Sequence, residues 1–264
     1  MSRLVNSPLA AGSLAGMTAL VTGSSRGIGA DTVRYFAAAG ANVVINYRSK
    51  APRAEKLLAV LEAGGTQGLA IGADLTDPAS VEAMMQQVQD RFGRIDILVL
   101  NASGGMEAGM GEDYALRLNR DAQVNVLTKA LPLLHEGARI VFVTSHQAHF
   151  IRTVPSMPEY EPVALSKRAG EDALREFIPQ LEAAGIGFTV VSGDMIEGTV
   201  TATLLDRANP GAIEARKEAV GKLYNVSEFA AEVAQAAVDP VPADNTRLVG
   251  DVAYFTEYAP TAGE

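Results

Sequence analysis

From Met17 onward, short apolar runs alternate with longer stretches whose apolar residues recur about every three or four positions. A short continuous apolar run suits a strand covered on both faces, and the longer recurrence gives a helix one apolar side. The alternation predicts strands over 18–22, 42–46, 68–72, 95–100, 140–144, 187–192 and 247–255. It predicts helices over 27–39, 51–63, 79–92, 113–134, 162–184 and 226–238. Right-handed β-α-β crossovers then build a parallel sheet with helices on both faces, so the expected class is α/β and doubly wound. No linker, charge run or repeat divides the chain, which makes one domain over 17–264, with an arm at 1–16 and a tail at 259–264. The segment 197–224 breaks the alternation with loose helical amphipathicity, as a substrate lid would.

Composition narrows the function. Of 264 residues 48% are hydrophobic, enough for a sizeable core. The chain carries 22 Lys and Arg against 31 Asp and Glu, a formal charge of −9, which argues against nucleic acid as a partner. With no cysteine there is no disulfide framework, thiolate nucleophile or iron–sulfur cluster. Two histidines, His146 and His149, stand together with no third ligand at a recognisable spacing, so no metal site is expected. No stretch reaches the roughly 20 apolar residues of a membrane helix, and residues 1–17 lack the apolar core of a signal peptide. A soluble cytoplasmic protein is the expectation.

The first predicted strand runs into Thr22-Gly23-Ser24-Ser25-Arg26-Gly27-Ile28-Gly29 and then a helix. Glycines at such a turn let backbone approach a pyrophosphate, whose charge is favoured by the free N–H groups at the helix start. The series therefore predicts a Rossmann-type dinucleotide site. At the end of the second strand, Asn46-Tyr47-Arg48-Ser49-Lys50 holds no acid to accept the ribose hydroxyls of NAD. Arg48, helped by Arg26, offers charge-assisted contacts to the 2′-phosphate of NADP. NADP is the expected cofactor, with NAD use open; Arg48 and Lys50 as merely solvated loop residues is the competing reading.

These motifs, in this order, resemble the short-chain dehydrogenase/reductase superfamily over about Leu14 to Phe255. Asp74, in Ala73-Asp74-Leu75-Thr76, resembles that family's adenine-contacting aspartate. Asn101-Ala102-Ser103-Gly104 resembles its Asn-Asn-Ala-Gly signature, with Leu100 for the first Asn and Ser103 for the Gly. The resemblance implies a cofactor lying along Gly23, Ser25, Arg26, Gly27, Ile28 and Gly29, beside Tyr47 and Arg48. It would continue past Asp74, Leu75, Asn101 and Ala102 to Lys167 and Ile196. It also implies a homodimer or homotetramer, paired through the helices around 113–134 and 162–184.

The family's catalytic set is a Ser, a Tyr four positions before a Lys, and an upstream Asn. Ser145 and Lys167 match, and Asn119, 13 residues before Pro132, matches the Asn, with Asn125 as a competing choice. Four before Lys167, however, stands Val163, which has no proton to give. Tyr160 is seven before Lys167, and this Tyr-x6-Lys spacing resembles the enoyl-acyl-carrier-protein reductases of the same superfamily. Residues seven apart on a helix lie about 10.5 Å apart along the axis on nearly one face. Pro162 suits the first helical position, which places Tyr160 at or just before the cap. The competing reading is a loop aromatic packed at that entrance.

Two features depart from the enoyl-reductase pattern. The glycine turn has the ordinary G-x-x-x-G-x-G form, and Gly193-Asp194 stands where the family has Pro-Gly. Asp194 reads as a substrate contact or a solvated turn, and His146 and His149 as loop-lining residues with a general acid as the alternative. Asp113, Tyr114, Glu159 and Glu161 read as polar loop or cap residues, and Met195, Leu204 and Leu205 hint at an apolar ligand. Together these imply an NADP(H)-dependent oxidoreductase reducing a carbonyl or a conjugated enoyl group, its small-molecule substrate including the acyl thioesters. A protein that binds NADP(H) as a sensor or scaffold, without turnover, is the alternative.

Overall fold

In the computed structural model, residues 7–106, 109, 111 and 113–257 are described; the expected tail lies outside them. Seven parallel strands form one sheet: β1 Thr18–Val21, β2 Asn42–Tyr47, β3 Gly68–Gly72, β4 Ile97–Leu100, β5 Arg139–Ser145, β6 Gly187–Gly193 and β7 Thr246–Val249, in the order β3-β2-β1-β4-β5-β6-β7. The chain winds outward from β1 through β2 and β3, then returns to add β4 on the other side. The carboxyl ends of β1 and β4 therefore flank the crevice where such sheets bind ligands.

The first helices are α1 Gly27–Ala38, α2 Ala51–Ala63 and α3 Pro78–Phe92. Next come α4 Tyr114–Leu116, a π turn at Arg117–Asp121 and α5 Ala122–Ala130. Then α6 His146–His149, α7 Glu161–Arg175 and α8 Ile178–Ala183 precede α9 Val200–Ala208, α10 Ala212–Val220, α11 Val226–Ala236 and α12 Ala253–Glu257. Alternate strand residues feed opposite faces of the sheet. Val43, Ile45, Ile97 and Val99 pack with Phe36 of α1 and Phe229 of α11, whereas Val44, Leu98 and Leu100 pack with Met84 of α3 and Leu127 of α5. A third, smaller cluster joins Tyr160, Val163 and Met195 to Ala202, Leu205 and Leu223 of the segment expected as a lid.

Several elements differ from the sequence expectation. The strand expected over 247–255 ends at Val249 because Gly250 takes φ 91° and the Asp251 carboxylate accepts the Ala253 N–H at 2.8 Å, starting α12. The helix expected over 162–184 breaks between α7 and α8, where Pro179 begins a new first turn. The one expected over 113–134 is divided by the π turn. Leu9 and Leu14, in the expected arm, are buried in the first cluster, and the Leu14 N–H donates to the Ala39 carbonyl at 2.9 Å. Among the described residues no helix is long and apolar enough to cross a membrane.

Candidate active site

The turn after β1 is built around positive-φ glycines. Gly23 and Gly27 take φ 62° and 59°, a region that favours glycine. A Cβ at Gly29 would stand 2.6 Å from Asn101 Nδ2 and 2.8 Å from Ser24 Cα, so only glycine lets helix and turn approach this closely. Thr22 ties the turn to the end of β4: its Oγ1 accepts the Asn101 and Ala102 N–H groups at 2.9 and 3.0 Å. Asn46, not singled out in the sequence, accepts the Gly23 N–H at 3.0 Å. Helix α1 starts behind Arg26 with no side-chain cap, which leaves the N–H groups of its first turn for a ligand. A Cβ at Gly27 would meet nothing within 4 Å, so the turn opens onto free space. These groups fit a pyrophosphate.

A cleft of about 600 Å³ extends from this turn in both directions. At one end it is lined by Ser25, Arg26, Ile28, Tyr47, Arg48, Lys50, Arg53, Asp74 and Leu75. Burial raises the Asp74 carboxyl, but hydrogen bonds from Thr76 at 2.9 and 2.7 Å and the charges of Arg48 and Arg117 leave it lower than usual. Tyr114, expected as a polar loop or cap residue, is instead buried and faces this end. Its phenol oxygen accepts a hydrogen bond from Arg48 Nη1. The cations here fit a further phosphate.

At the other end, β5 delivers Ser145 and the entrance of α7 delivers Tyr160, with Pro162 in the helix's first turn. Their hydroxyl oxygens stand 3.1 Å apart, and both residues line the cleft with Lys167. Burial raises the Tyr160 phenol, partly offset by its bond to Ser145. Burial alone lowers the Lys167 ammonium to about 8, and it has no hydrogen-bond partner among the described residues. Val163 packs in the small cluster, at 5% exposure. Asn101, Ala102 and Ile196 also line the cleft.

Asn119 sits in the π turn and faces the loop after β4. Its Nδ2 donates to the Gly104 carbonyl at 2.8 Å and to Ser166 Oγ at 2.9 Å, and its Oδ1 accepts the Gly104 N–H at 3.2 Å. Asn125 does not line the cleft; it borders a separate surface groove with Val124, Thr128 and Ala173.

Asp194 lines the cleft, yet it is not a solvated turn residue. Its carboxylate pairs with Arg216 of α10 at 2.8 Å and accepts from Gln147 Nε2 at 3.2 Å and the Met195 N–H at 2.8 Å. His146 is fully buried, with Nδ1 on Ser192 Oγ at 2.8 Å and Nε2 on the Val249 carbonyl at 3.2 Å, and burial lowers it to about 4. His149 pairs with buried Glu171 at 2.9 Å. Neither histidine lines the cleft. Among the described residues no group of three or more His, Asp or Glu side chains could hold a metal ion.

The short chain dehydrogenase profile matches residues 17–209, nearly the whole sheet and both ends of the cleft. The chain belongs to the short chain dehydrogenase family. Within it, the chain is 38% identical over 138 residues to a hydroxynaphthalene reductase of Aspergillus fumigatus, covering 50% of each chain. It is 31% identical over 184 residues to 1-cyclohexenylcarbonyl-CoA reductase of Streptomyces collinus, covering 67% of this chain and 64% of that one. The chain thus spans about half to two thirds of the length of these relatives. A crystallised short chain dehydrogenase of Burkholderia cenocepacia, in complex with NADP, superposes with a TM-score of 0.75 at 30% identity, over 90% of this chain and 98% of that one. The seven-stranded parallel sheet is that family's Rossmann-type fold.

Proposed function

We propose that this protein is an NADPH-dependent reductase of a carbonyl group on an apolar cyclic or aromatic substrate. The observation that carries the reading is the 3.1 Å approach of Ser145 Oγ to Tyr160 OH in the lining of the cleft. Two hydroxyls this close can converge on one substrate oxygen, the atom on which negative charge grows as a carbonyl is reduced. NADPH, when bound, supplies the hydride.

The chain's own residues hold the reactants and move the proton. Gly23, Gly27 and Gly29, with the first turn of α1, receive the pyrophosphate. Arg48, supported by Arg26, Lys50 and Arg53, receives the 2′-phosphate. Asp74 and Leu75, which line the same end of the cleft, would hold the adenine, and Asn101, Ala102 and Ile196 would hold the nicotinamide. Ser145 orients the substrate oxygen and Tyr160 donates a proton to it. A raised phenol pKa keeps that proton in place until charge develops on the acceptor. The Lys167 ammonium lies in the same cleft, where its charge eases loss of the phenol proton. Asn119 holds the loop after β4 against α7 through Gly104 and Ser166.

Met195, Val200, Ala202 and Leu205 border the substrate end and favour an apolar ligand. The segment 197–224, folded as α9 and α10, serves as its lid. The names of the hydroxynaphthalene reductase and of the NADP complex support a carbonyl reductase using NADP. The Tyr-x6-Lys spacing and the 1-cyclohexenylcarbonyl-CoA reductase relative support a second reading, reduction of a conjugated C=C bond in an acyl thioester. Association into a homodimer or homotetramer belongs to the same reading. It is supported by the groove between α5 and α7 and by half-exposed Leu165.

The experiment is oxidation of NADPH by the purified protein with α-tetralone and menadione as carbonyl probes and crotonyl-CoA as the enoyl probe. Turnover with the carbonyl probes and not the thioester is the expected result. Turnover with the thioester alone moves the assignment to C=C reduction. Tight NADPH binding without any turnover favours the sensor alternative.

A further inference from the structure

Arg48 follows the end of β2 and belongs to a loop, whereas Tyr114 arrives 66 residues later, on the crossover between β4 and α5. The two meet across the adenine end of the cleft. The phenol oxygen accepts from Arg48 Nη1, and the guanidinium carbon stands 5.6 Å from the ring centroid. Tyr114 is itself only 4% exposed, so its ring is a fixed platform and not a second mobile side chain.

An arginine reaching a phosphate from a loop loses rotamer freedom on binding, and affinity falls by that ordering cost. Anchoring one nitrogen of the fork beforehand removes part of the cost and leaves Nε and Nη2 to meet an anion in the paired geometry guanidinium favours. The surroundings suit an anion: among the described residues, Arg26, Arg48, Lys50 and Arg53 line this end against the carboxylate of Asp74. One oxygen of that carboxylate, Oδ1, already accepts both the N–H and the hydroxyl of Thr76.

We infer that Tyr114 is a positioning residue for cofactor choice: its phenol holds the Arg48 guanidinium ready for the 2′-phosphate that distinguishes NADP(H) from NAD(H). The inference rests on the NADP reading above and adds a residue to it from an element outside the glycine turn and β2.

Calorimetric titration with adenosine 2′,5′-bisphosphate and with 5′-AMP tests this without turnover, since the two probes differ only in the phosphate at issue. Tyr114→Phe removes the phenol oxygen and keeps the buried ring. It is expected to weaken the bisphosphate about tenfold and leave 5′-AMP within about twofold. In an Arg48→Ala background the same change is expected to have no further effect, because the two residues act as one unit. Equal weakening of both probes, or no weakening of either, overturns the role given to Tyr114. If Arg48→Ala itself leaves the preference for the bisphosphate intact, the NADP reading fails and the role of Tyr114 fails with it. Selective weakening by Arg48→Ala without an effect of Tyr114→Phe sinks only the second.

Discussion

The Asp194 carboxylate and the Arg216 guanidinium form an ion pair of 2.8 Å that ties α10 to the end of β6. Both side chains are mostly buried, and the guanidinium also lies 5.0 and 5.1 Å from the rings of Tyr254 and Phe255. One contact thus joins α10, the residue after β6 that lines the cleft, and α12. Asp194→Asn leaves the cation poorly compensated, at a cost of about 2 kcal/mol in holding α10 to the end of β6. Limited proteolysis is expected to cut between α9 and α10 several times faster in the variant. The KM for a carbonyl probe should rise with little change in kcat.

Gly170 on α7 faces the π turn that carries Asn119. A Cβ there would stand 1.9 Å from the Asn119 carbonyl oxygen, which is backbone and cannot swing away. Gly170→Ala is therefore expected to destabilise the fold by about 2–3 kcal/mol and to shift the turn. Denaturant titration measures the loss, and a midpoint equal to the wild type would show that the two elements can separate freely.

Lys167 is buried and has no ion pair among the described residues, and burial lowers its ammonium from 10.5 to about 8. Between those values the unfolded chain holds a proton that the folded protein has released, so stability rises as pH increases through that window. Below about 8 both states are charged and the folded state bears the full cost, about 3 kcal/mol. Lys167→Met is expected to flatten the rise between pH 8 and 10.5, as read from urea midpoints at several pH values. An unchanged slope would mean that other groups set it.

The central strands were legible in the sequence because they are buried on both faces and so read as unbroken apolar runs. The run at 247–255 misled for a local reason, since Gly250 and Asp251 turn the chain within it. Helix α6 was invisible because four residues carry no period. Pro162 and the spacing to Lys167 indicated that Tyr160 could reach the site. Asp194 and Tyr114 were not readable in the same way, because their partners Arg216 and Arg48 lie 22 and 66 positions away and belong to other elements. No sequence period reports such a meeting. Asn46 was equally hidden, since an asparagine within an apolar strand gives no sign of which backbone it serves.

The central claim is that Tyr160 supplies the phenol missing at Val163. Its most direct test is single-turnover oxidation of bound NADPH by Tyr160→Phe, with the carbonyl probe that the wild type reduces fastest. The account predicts a fall of about 10²–10⁴ in the chemical step with NADPH affinity unchanged within about twofold. Wild-type turnover in the variant would contradict it.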